Sequence, residues 1–249
     1  MRAMVLAAGL GTRLQPLTNN RPKALVEISG RTLLEMTLGR LRQFGIREVI
    51  INAHHFADMI ASYLGANNSF GMTIAISRED ELLDTGGGLK KASHFFLEQN
   101  PGEPFLVHNV DVVSSIDLAR MIEFHRQHDA LAALAVQRRP ASRQLLFDDD
   151  LQLCGRKSND SPLELMRPVV NPQPLAFCGL HVISPRIFPL MSEEGVFSII
   201  TTYLRLAQQS ERVVGFPADE YYWRDVGKPE SVQQAAKELA EGRAGTIYK

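Results

Sequence analysis

Short apolar runs alternate along the first half of the chain with segments in which apolar residues recur at helical spacing. The apolar runs predict buried strands at residues 3–8, 48–52, 72–76, 105–110 and 131–136. Helical spacing predicts helices at residues 34–41, 56–64, 90–97 and 118–128, with Gly45 closing the first of them. Alternation of this kind predicts right-handed strand–helix–strand units, with helices covering both faces of a sheet.

The pattern changes after residue 136. Two short apolar stretches flank Asp148, Asp149 and Asp150 and predict a hairpin. Residues 159–174 are rich in Pro, Asn and Ser and predict a long irregular loop near a ligand. Further elements are predicted, in order, as a strand at 175–183, a helix at 198–208, a strand at 221–225 and a helix at 229–241. We therefore predict one domain, 1–249, made of a core (1–136), an inserted part (137–228) and a C-terminal helix (229–249).

Composition excludes several classes of protein. The 249 residues are 45% hydrophobic and 22% charged, which is typical of a globular chain. A net charge of −1 gives no general attraction to nucleic acid or to an anionic membrane, so neither is predicted as a partner. No stretch approaches the ~18 apolar residues of a membrane helix. Two cysteines without metal-ligand spacing favour a reducing compartment, and the predicted location is cytoplasmic.

The strongest local signal is a glycine loop directly after the first predicted strand. Gly9 and Gly11 would let backbone N–H groups approach a phosphate, and the small Ala7 and Ala8 would leave room for a flat base. A Gly-x-Gly pair alone is as often a simple tight turn, and the loop has neither the P-loop nor the Rossmann spacing. The segment before Glu27 holds no acidic residue and four cations, Arg2, Arg13, Arg21 and Lys23. A local anion site is therefore predicted.

The segment from Leu6 to Gly30 resembles the signature of the sugar nucleotidyltransferase family, LAAGxGTRLxPLTxxxPKxLxxxxG, almost throughout. The resemblance implies an α/β, Rossmann-like, three-layer αβα (GT-A-like) fold, with a mostly parallel mixed sheet and a small sugar-facing β insertion. It also implies an enzyme that joins a nucleoside triphosphate to a sugar 1-phosphate and releases pyrophosphate. On this basis 1–136 would bind the nucleotide and 137–228 the sugar.

The resemblance also implies roles for residues of the loop. The backbone from Ala7 and Ala8 through Gly9 and Gly11 to Thr12 would hold the base and phosphates. Arg13 would bind the β- and γ-phosphates and the leaving pyrophosphate, and Lys23 would bridge the reacting phosphates. Further along, Asp84, Thr85 and Gly86 resemble the acid-Thr-Gly-Gly-Gly segment of members that use muramate- or mannose-type sugars. Their N–H groups and the Thr85 hydroxyl would read the edge of the base, although a glycine triplet can also be a flexible turn.

Two carboxylates resemble the metal ligands of the family. Asp111 ends an apolar strand, and Asp225 lies in a stretch similar to the late W-x-D-[IV]-G motif. Two carboxylates together with substrate phosphates suit Mg²⁺, the predicted cofactor. One departure is Asn109-Val110-Asp111, where the family has Asn-Gly-Asp, and the missing glycine could restrict how closely a sugar approaches.

The predicted sugar contacts are Asn109, Gly179 and Glu164. Gly179 lies in Phe177-Cys178-Gly179-Leu180, which resembles the family's F-x-G-[IL] element beside the sugar. The Glu-Lys pair of glucose 1-phosphate enzymes is not recognisable, and Glu164 is the nearest candidate for it.

The favoured reaction is uridylyl transfer from UTP to a hexose- or N-acetylmuramate-type 1-phosphate. Alternatives within the same chemistry are a guanylyltransferase for mannose or heptose 1-phosphate and a cytidylyltransferase for a non-sugar phosphate such as phosphocholine. A metal-dependent glycosyltransferase would have no use for Arg13 and Lys23. A non-catalytic nucleotide-sugar sensor is the alternative outside enzymes. The base, the sugar and the oligomeric state are not fixed by the sequence.

Overall fold

A computed structural model describes residues 1–98 and 102–244. The strands are β1 (Arg2–Leu6), β2 (Glu27–Ile28), β3 (Arg31–Thr32), β4 (Glu48–Ala53), β5 (Thr73–Arg78), β6 (Phe105–Asn109), β7 (Val112–Ser114), β8 (Ala132–Gln137), β9 (Arg143–Phe147), β10 (Leu153–Ser158), β11 (Ser161–Leu165), β12 (Gln173–Ile183), β13 (Val213–Pro217) and β14 (Trp223–Asp225). The helices are α1 (Leu33–Gln43), α2 (Ala57–Ala66), α3 (Asp84–Lys91), α4 (Ser93–Leu97), α5 (Leu118–Gln127), α6 (Ile199–Gln208) and α7 (Pro229–Ala240).

Ten strands form one mixed sheet. Strands β5, β4, β1 and β6 are parallel neighbours in that order, and β12 then pairs antiparallel with β6. On the other side of β12 lies β8, which pairs in parallel with β13. The start of β12 also pairs with β9, which continues through β10 to β11. Because β8 and β6 are both antiparallel to β12, the carboxyl ends of β1, β4, β6 and β8 lie at one edge of the sheet.

Helices cover both faces of this sheet. Along β1, Ala3 and Val5 face the core that contains buried residues of α1, α2, α5 and α7, whereas Met4 faces the core that contains buried residues of α3, α4 and α6. The alternation follows from the two-residue period of a strand, and burial on both faces explains why the sequence shows an unbroken apolar run there. The three layers confirm the predicted α/β fold class.

Several predicted elements differ from the structure. The predicted helix at 90–97 is replaced by two helices, and the glycine triplet is not a flexible turn, because α3 contains it and α4 follows. The segment 159–174 is not wholly irregular, since β11 pairs antiparallel with β10 inside it. Strand β13 was not predicted, nor was the small sheet in which β7 pairs with β14. The last of these elements bears directly on the site.

Two features concern the compartment and the membrane. Cys154 and Cys178 are both buried and are not joined in a disulfide. In the part of the chain that the structure describes, no helix is long and apolar enough to cross a bilayer.

Candidate active site

The glycine loop is anchored at its first residue. The Ala7 N–H donates to the side-chain oxygen of Asn52 at 2.8 Å, and the Asn52 amide donates to Glu79 at 2.7 Å. The second Glu79 oxygen accepts the N–H of Leu83 at 3.1 Å. Asn52 and Glu79 are both buried. Because the buried carboxylate fixes the amide of Asn52, the loop leaves β1 in one defined direction.

Gly11 meets a steric and conformational requirement of the loop. Its φ is +67°, and a Cβ at this position would lie 2.9 Å from Cγ2 of Thr18. The Thr18 hydroxyl also donates to the Gly11 carbonyl at 2.8 Å. A side chain here would therefore be strained and would push away the threonine that closes the loop. A short 3₁₀ turn, Thr12–Leu14, follows directly and carries Arg13.

Two clefts open beside this loop. The first, which we call the glycine-loop cleft, has a volume of about 320 Å³ and is lined by Leu6, Ala7, Ala8, Gly9, Lys23, Asn52, Leu82, Asp84, Thr85, Asn109, Val110, Asp111 and Val196. The second, the carboxylate cleft, has a volume of about 620 Å³, and its lining includes Arg13, Asn109, Asp111, Gly179, Trp223, Asp225 and Lys228. The two clefts share Asn109 and Asp111. A molecule in one cleft can therefore meet a molecule in the other at Asp111.

The unpredicted pair β7–β14 brings the two predicted metal ligands together. Asp111 immediately precedes β7, and Asp225 ends β14, where it lies opposite Val112 in the antiparallel register. The Val226 N–H donates to the Asp111 carbonyl at 2.9 Å and extends the pairing by one step. The structure therefore holds both carboxylates at one end of the same two-stranded sheet, although they are 114 positions apart in the sequence.

The negative charges of Asp111 and Asp225, which lie at the junction of the two clefts, are only partly compensated. The Lys23 ammonium forms an ion pair with Asp111. Oδ1 of Asp225 is buried and has no hydrogen-bond donor. Burial raises the pKa of Asp225, and the negative charge of Asp111 raises it further, against the opposing effects of Lys23, the Gly227 backbone N–H and Arg13. A carboxylate oxygen in this state can accept a cation, and oxygen ligands are those that Mg²⁺ prefers. Residues 1–98 and 102–244 contain no cluster of three or more His, Cys, Asp and Glu placed for a metal.

Asn109 and Gly179 pack closely at the floor of the carboxylate cleft. Gly179 has a φ of +75°, and a Cβ there would lie 2.9 Å from both Asn109 Nδ2 and Val112 Cγ2. The side-chain oxygen of Asn109 is buried without a donor. Val110, which replaces the family's glycine, is buried in the core and lines the glycine-loop cleft rather than the carboxylate cleft. Its side chain does not narrow the space beside Gly179.

Two of the predicted site residues, Gly86 and Glu164, do not line either cleft. The N–H groups of Gly86 and Gly87 donate to the Phe197 carbonyl at 2.9 and 3.2 Å, so they are not free to read a base edge. Glu164 lies on β11, pairs with Arg156 at 2.5 Å and lines neither cleft. Its surroundings are those of an exposed hairpin, because β10 and β11 extend the sheet away from the junction.

Some of the remaining residues of the loop segment face the clefts and others do not. Gly11 and Thr12 shape the loop but do not line either cleft. Two of the four cations of the segment have other partners, since Arg2 pairs with Glu48 at 3.0 Å and Arg21 lies 3.9 Å from Glu27. Of these four cations, Arg13 and Lys23 therefore remain to face the clefts.

Three residues beside the clefts were not predicted from the sequence: Asn52, Arg139 and Lys228. Asn52 holds the loop, and Arg139 lies over the ring of Trp223 with its guanidinium carbon 3.6 Å from the ring centroid. Lys228 follows the late motif and lines the carboxylate cleft. A positional signal was available, because Asn52 and Arg139 lie at the carboxyl ends of β4 and β8, at the same edge as the glycine loop.

Comparison with known proteins gives the family. The family model described as "Nucleotidyl transferase" matches residues 2–144, which is more than half of the chain. The chain is 35% identical over 250 residues to N-acetylmuramate alpha-1-phosphate uridylyltransferase of Caulobacter vibrioides, and the match covers 96% of the chain and 97% of the relative. The chain belongs to the nucleotidyl transferase family. Family membership confirms that it is an enzyme of nucleotidyl transfer.

Other matches agree with this assignment. Mannose-1-phosphate guanyltransferase of Candida albicans is 27% identical over 92% of the chain, which spans 62% of that relative. The crystal structure of HddC from Yersinia pseudotuberculosis, complexed with GMP-PN, superimposes with a TM-score of 0.75 at 23% identity, over 96% of this chain and 99% of that chain. The structural match confirms the Rossmann-like fold.

Proposed function

We propose that the chain transfers a uridylyl group from UTP to a hexose 1-phosphate of the N-acetylmuramate type and releases pyrophosphate. The observation that carries the proposal is the meeting of two clefts at Asp111, with Lys23 on one side and Asp225 on the other. The 35% identity to an N-acetylmuramate alpha-1-phosphate uridylyltransferase over nearly the full length of both proteins supports this choice of base and sugar.

The glycine-loop cleft fits the nucleotide in this proposal. Its lining combines Ala7, Ala8 and Gly9 of the loop with Asp84 and Thr85. The carboxylate cleft, with a volume of about 620 Å³, holds the acceptor in this proposal. Arg13 and Lys23 provide the positive charge for a triphosphate that reaches from one cleft towards the other.

The proposed reaction is an in-line displacement at the α-phosphorus. An oxygen of the sugar phosphate forms a new bond to this phosphorus, and the bond to the bridging oxygen of the β-phosphate breaks, so pyrophosphate leaves with that electron pair. A phosphate monoester has a second pKa of about 6 and is mostly a dianion at neutral pH, so it needs no general base. The protein then acts by positioning and by neutralising charge, with Lys23 beside the reacting phosphates and Arg13 beside the leaving group.

Mg²⁺ is part of the proposal. The unsatisfied Oδ1 of Asp225 and the facing carboxylate of Asp111 form a donor set that fits this ion. When bound, Mg²⁺ would neutralise charge on the phosphates. The predicted cytoplasmic location also stays part of the proposal, because two free buried thiols are compatible with a reducing compartment.

The experiment is a pyrophosphate-release assay with Mg²⁺. UTP, GTP, CTP, ATP and dTTP are each combined with N-acetylmuramate, N-acetylglucosamine, glucose and mannose 1-phosphates and with phosphocholine. We expect release to require UTP and a hexose 1-phosphate. Release only with GTP and mannose 1-phosphate would replace the proposal with guanylyl transfer.

A variant tests the assigned chemistry. We expect Lys23→Ala to lower kcat by about 100-fold to 1,000-fold, as does the loss of a transition-state hydrogen-bond donor elsewhere. Lys237→Ala, which removes an exposed lysine of α7, is the matched control and should retain full activity. Near-normal turnover of Lys23→Ala would remove this residue from the mechanism.

A further inference from the structure

The carboxylate cleft extends beyond Gly179 along the segment that joins β8 to β9. Because β8 ends at the same edge of the sheet as β6, this segment borders the cleft, and residues 139–143 line it. The segment contains two arginines in the cleft wall, Arg139 and Arg143. The proposed phosphate chemistry does not use either of them.

Arg139 is a half-buried cation without a carboxylate partner. Its guanidinium stacks on Trp223, and Nη2 donates to the Phe177 carbonyl at 2.9 Å. Its Nε is buried and has no hydrogen-bond partner, and no carboxylate in residues 1–98 or 102–244 forms an ion pair with it. A partly desolvated charge of this kind is costly unless an anion compensates it. The neighbouring Arg138, in contrast, has its own counter-ion, Asp219, at 3.3 Å.

Arg143 lies at the start of β9 and is exposed. It lines the carboxylate cleft and also a neighbouring cavity of about 570 Å³, whose walls include Arg156, Lys157 and Phe177. Neither Asp111 nor Asp225 lines that second cavity. Arg143 is therefore shared between the carboxylate cleft and a cavity that the metal-ligand candidates do not line, and it forms no ion pair with a described residue.

We propose that Arg139 and Arg143 form a subsite for a carboxylate on the acceptor sugar. The inference rests on the proposed function, because the reacting phosphate of the acceptor must lie near Lys23 and Asp111. The two arginines then face a different part of the same molecule. Arginine binds carboxylates through paired N–H donors, so the substrate class is an acidic hexose 1-phosphate, with one anionic group at C1 and another elsewhere on the ring.

A comparison of N-acetylmuramate 1-phosphate with N-acetylglucosamine 1-phosphate as substrates tests recognition of the carboxylate separately from recognition of the phosphate. Both sugars carry the phosphate, but only the first carries a lactyl carboxylate. We expect the wild-type enzyme to have the higher kcat/KM with N-acetylmuramate 1-phosphate. Arg143→Gln should lower kcat/KM about ten- to a hundredfold for that substrate, mainly through KM, because a charged hydrogen bond is lost.

The same variant should change kcat/KM for N-acetylglucosamine 1-phosphate less than about twofold, within the range of a neutral surface substitution. Arg143→Lys keeps the charge and should fall between the wild type and Arg143→Gln. Arg212→Gln is the matched control, since Arg212 is an exposed arginine outside the carboxylate cleft. It should leave both substrates unaffected.

Four results would overturn the inference. Equal losses with both sugars would mean that Arg143 binds the phosphate they share, and no loss with either would mean that it binds neither group. Equal or better wild-type turnover of the neutral sugar would leave nucleotidyl transfer intact and exclude the carboxylate subsite. Absence of pyrophosphate release from both sugars with every nucleotide would refute the proposed function, and the subsite with it.

Discussion

At the scale of single residues, Asp225 shows how a binding site differs from a stabilising contact. Its Oδ1 is buried without a donor, and its pKa is raised by burial and by Asp111. A side chain chosen for stability would have its charge compensated. The free-energy cost of this unpaired oxygen is offset where a ligand supplies the missing partner. A metal ion bound at Asp225 would be such a ligand.

We predict that Asp225→Asn separates activity from stability. Metal-dependent pyrophosphate release should fall at least about 100-fold, because charge stabilisation at the phosphates is lost. The free energy of unfolding without Mg²⁺ should stay within about 1 kcal/mol of the wild-type value or rise, because a partly buried and only partly compensated charge is removed. Asp149→Asn, in the exposed β9–β10 turn, should change neither. A large loss of stability in Asp225→Asn would show that the carboxylate is compensated within the protein.

The sequence predicted that Lys23, Asp111 and Asp225 belong to one site, because each lies in a motif that resembles the family's. The structure brings the three residues together, since Lys23 pairs with Asp111, and Asp111 and Asp225 line the same cleft. Their roles in binding and catalysis stay predictions. The sequence also predicted Glu164 as a sugar contact, but this residue lies on an exposed hairpin, pairs with Arg156 and lines neither cleft. It could not predict Arg139, whose role depends on Trp223, which is 84 positions away in the sequence.

At the scale of secondary structure, the glycine triplet has a packing role in α3. A Cβ on Gly86 would lie 2.4 Å from two ring carbons of Phe197 and 2.9 Å from its carbonyl oxygen, and one on Gly87 would lie 2.4 Å from the Gly195 carbonyl. The absent side chains let α3 approach the segment before α6. The sequence indicated a break here because glycine disfavours helices, and tertiary packing overrides that preference.

We predict that Gly86→Ala destabilises the protein by about 1–3 kcal/mol, the usual cost of overpacking, although alanine favours a helix by up to about 1 kcal/mol. Gly65→Ala in α2 is the matched control, because no atom lies within 4 Å of its added Cβ. This control should gain about 0.5–1 kcal/mol from helix propensity. Chemical denaturation of both variants measures the difference. Equal effects in the two variants would contradict the packing role of Gly86.

Helix α7 is joined to the metal-ligand strand by one buried carboxylate. Glu238 accepts hydrogen bonds from Tyr222 at 2.8 Å and from Arg224 at 2.6 Å, and Arg224 directly precedes Asp225. Burial raises the pKa of Glu238, but its bonds from Arg224, Gln234 and Tyr222 outweigh that effect and hold the pKa at about 2. The contact links the last helix to β14 and so to the carboxylate cleft.

We predict that Glu238→Gln lowers the free energy of unfolding by about 2–3 kcal/mol at pH 7. The carboxyl protonates near pH 4.5 when unfolded but only near pH 2 when folded. Its contribution is therefore complete above pH 4.5 and is lost as the pH falls towards 2. The difference in unfolding free energy between the wild type and Glu238→Gln should therefore become smaller between pH 4.5 and pH 2. A difference that does not change with pH would mean that the substitution acts only through packing. Glu241→Gln, at an exposed ion pair, should cost less than about 1 kcal/mol.

At the scale of the whole molecule, one sheet joins the parts of the chain that form the site. Strand β12 pairs with β6 on one side and with β8 on the other, so the inserted part is built into the core sheet rather than attached to it. The site draws the glycine loop and Asp111 from before residue 136, and Gly179 and Asp225 from after it. The alternation of elements indicated this sheet, but pairing between distant strands such as β7 and β14 depends on register that local patterns do not encode.

The last prediction follows from that shared construction. Because both parts of the chain line the clefts, a nucleotide bound with Mg²⁺ should stabilise the folded chain as one unit. At a free UTP concentration 100 times its Kd, linkage gives about 2.7 kcal/mol, which for a chain of this size raises Tm by about 5–10 °C in one cooperative transition. Calorimetry of the wild type with UTP, with and without Mg²⁺, measures the shift.

Asp225→Asn provides the control within this experiment, since it should lose the Mg²⁺-dependent part of the shift and keep the part due to UTP alone. Two separate transitions, of which only one responds to UTP, would mean that the parts of the chain unfold independently. An equal shift in the wild type and in Asp225→Asn would mean that the metal is bound without this carboxylate, and the metal site would then have to be reassigned around Asp111 and the nucleotide phosphates alone.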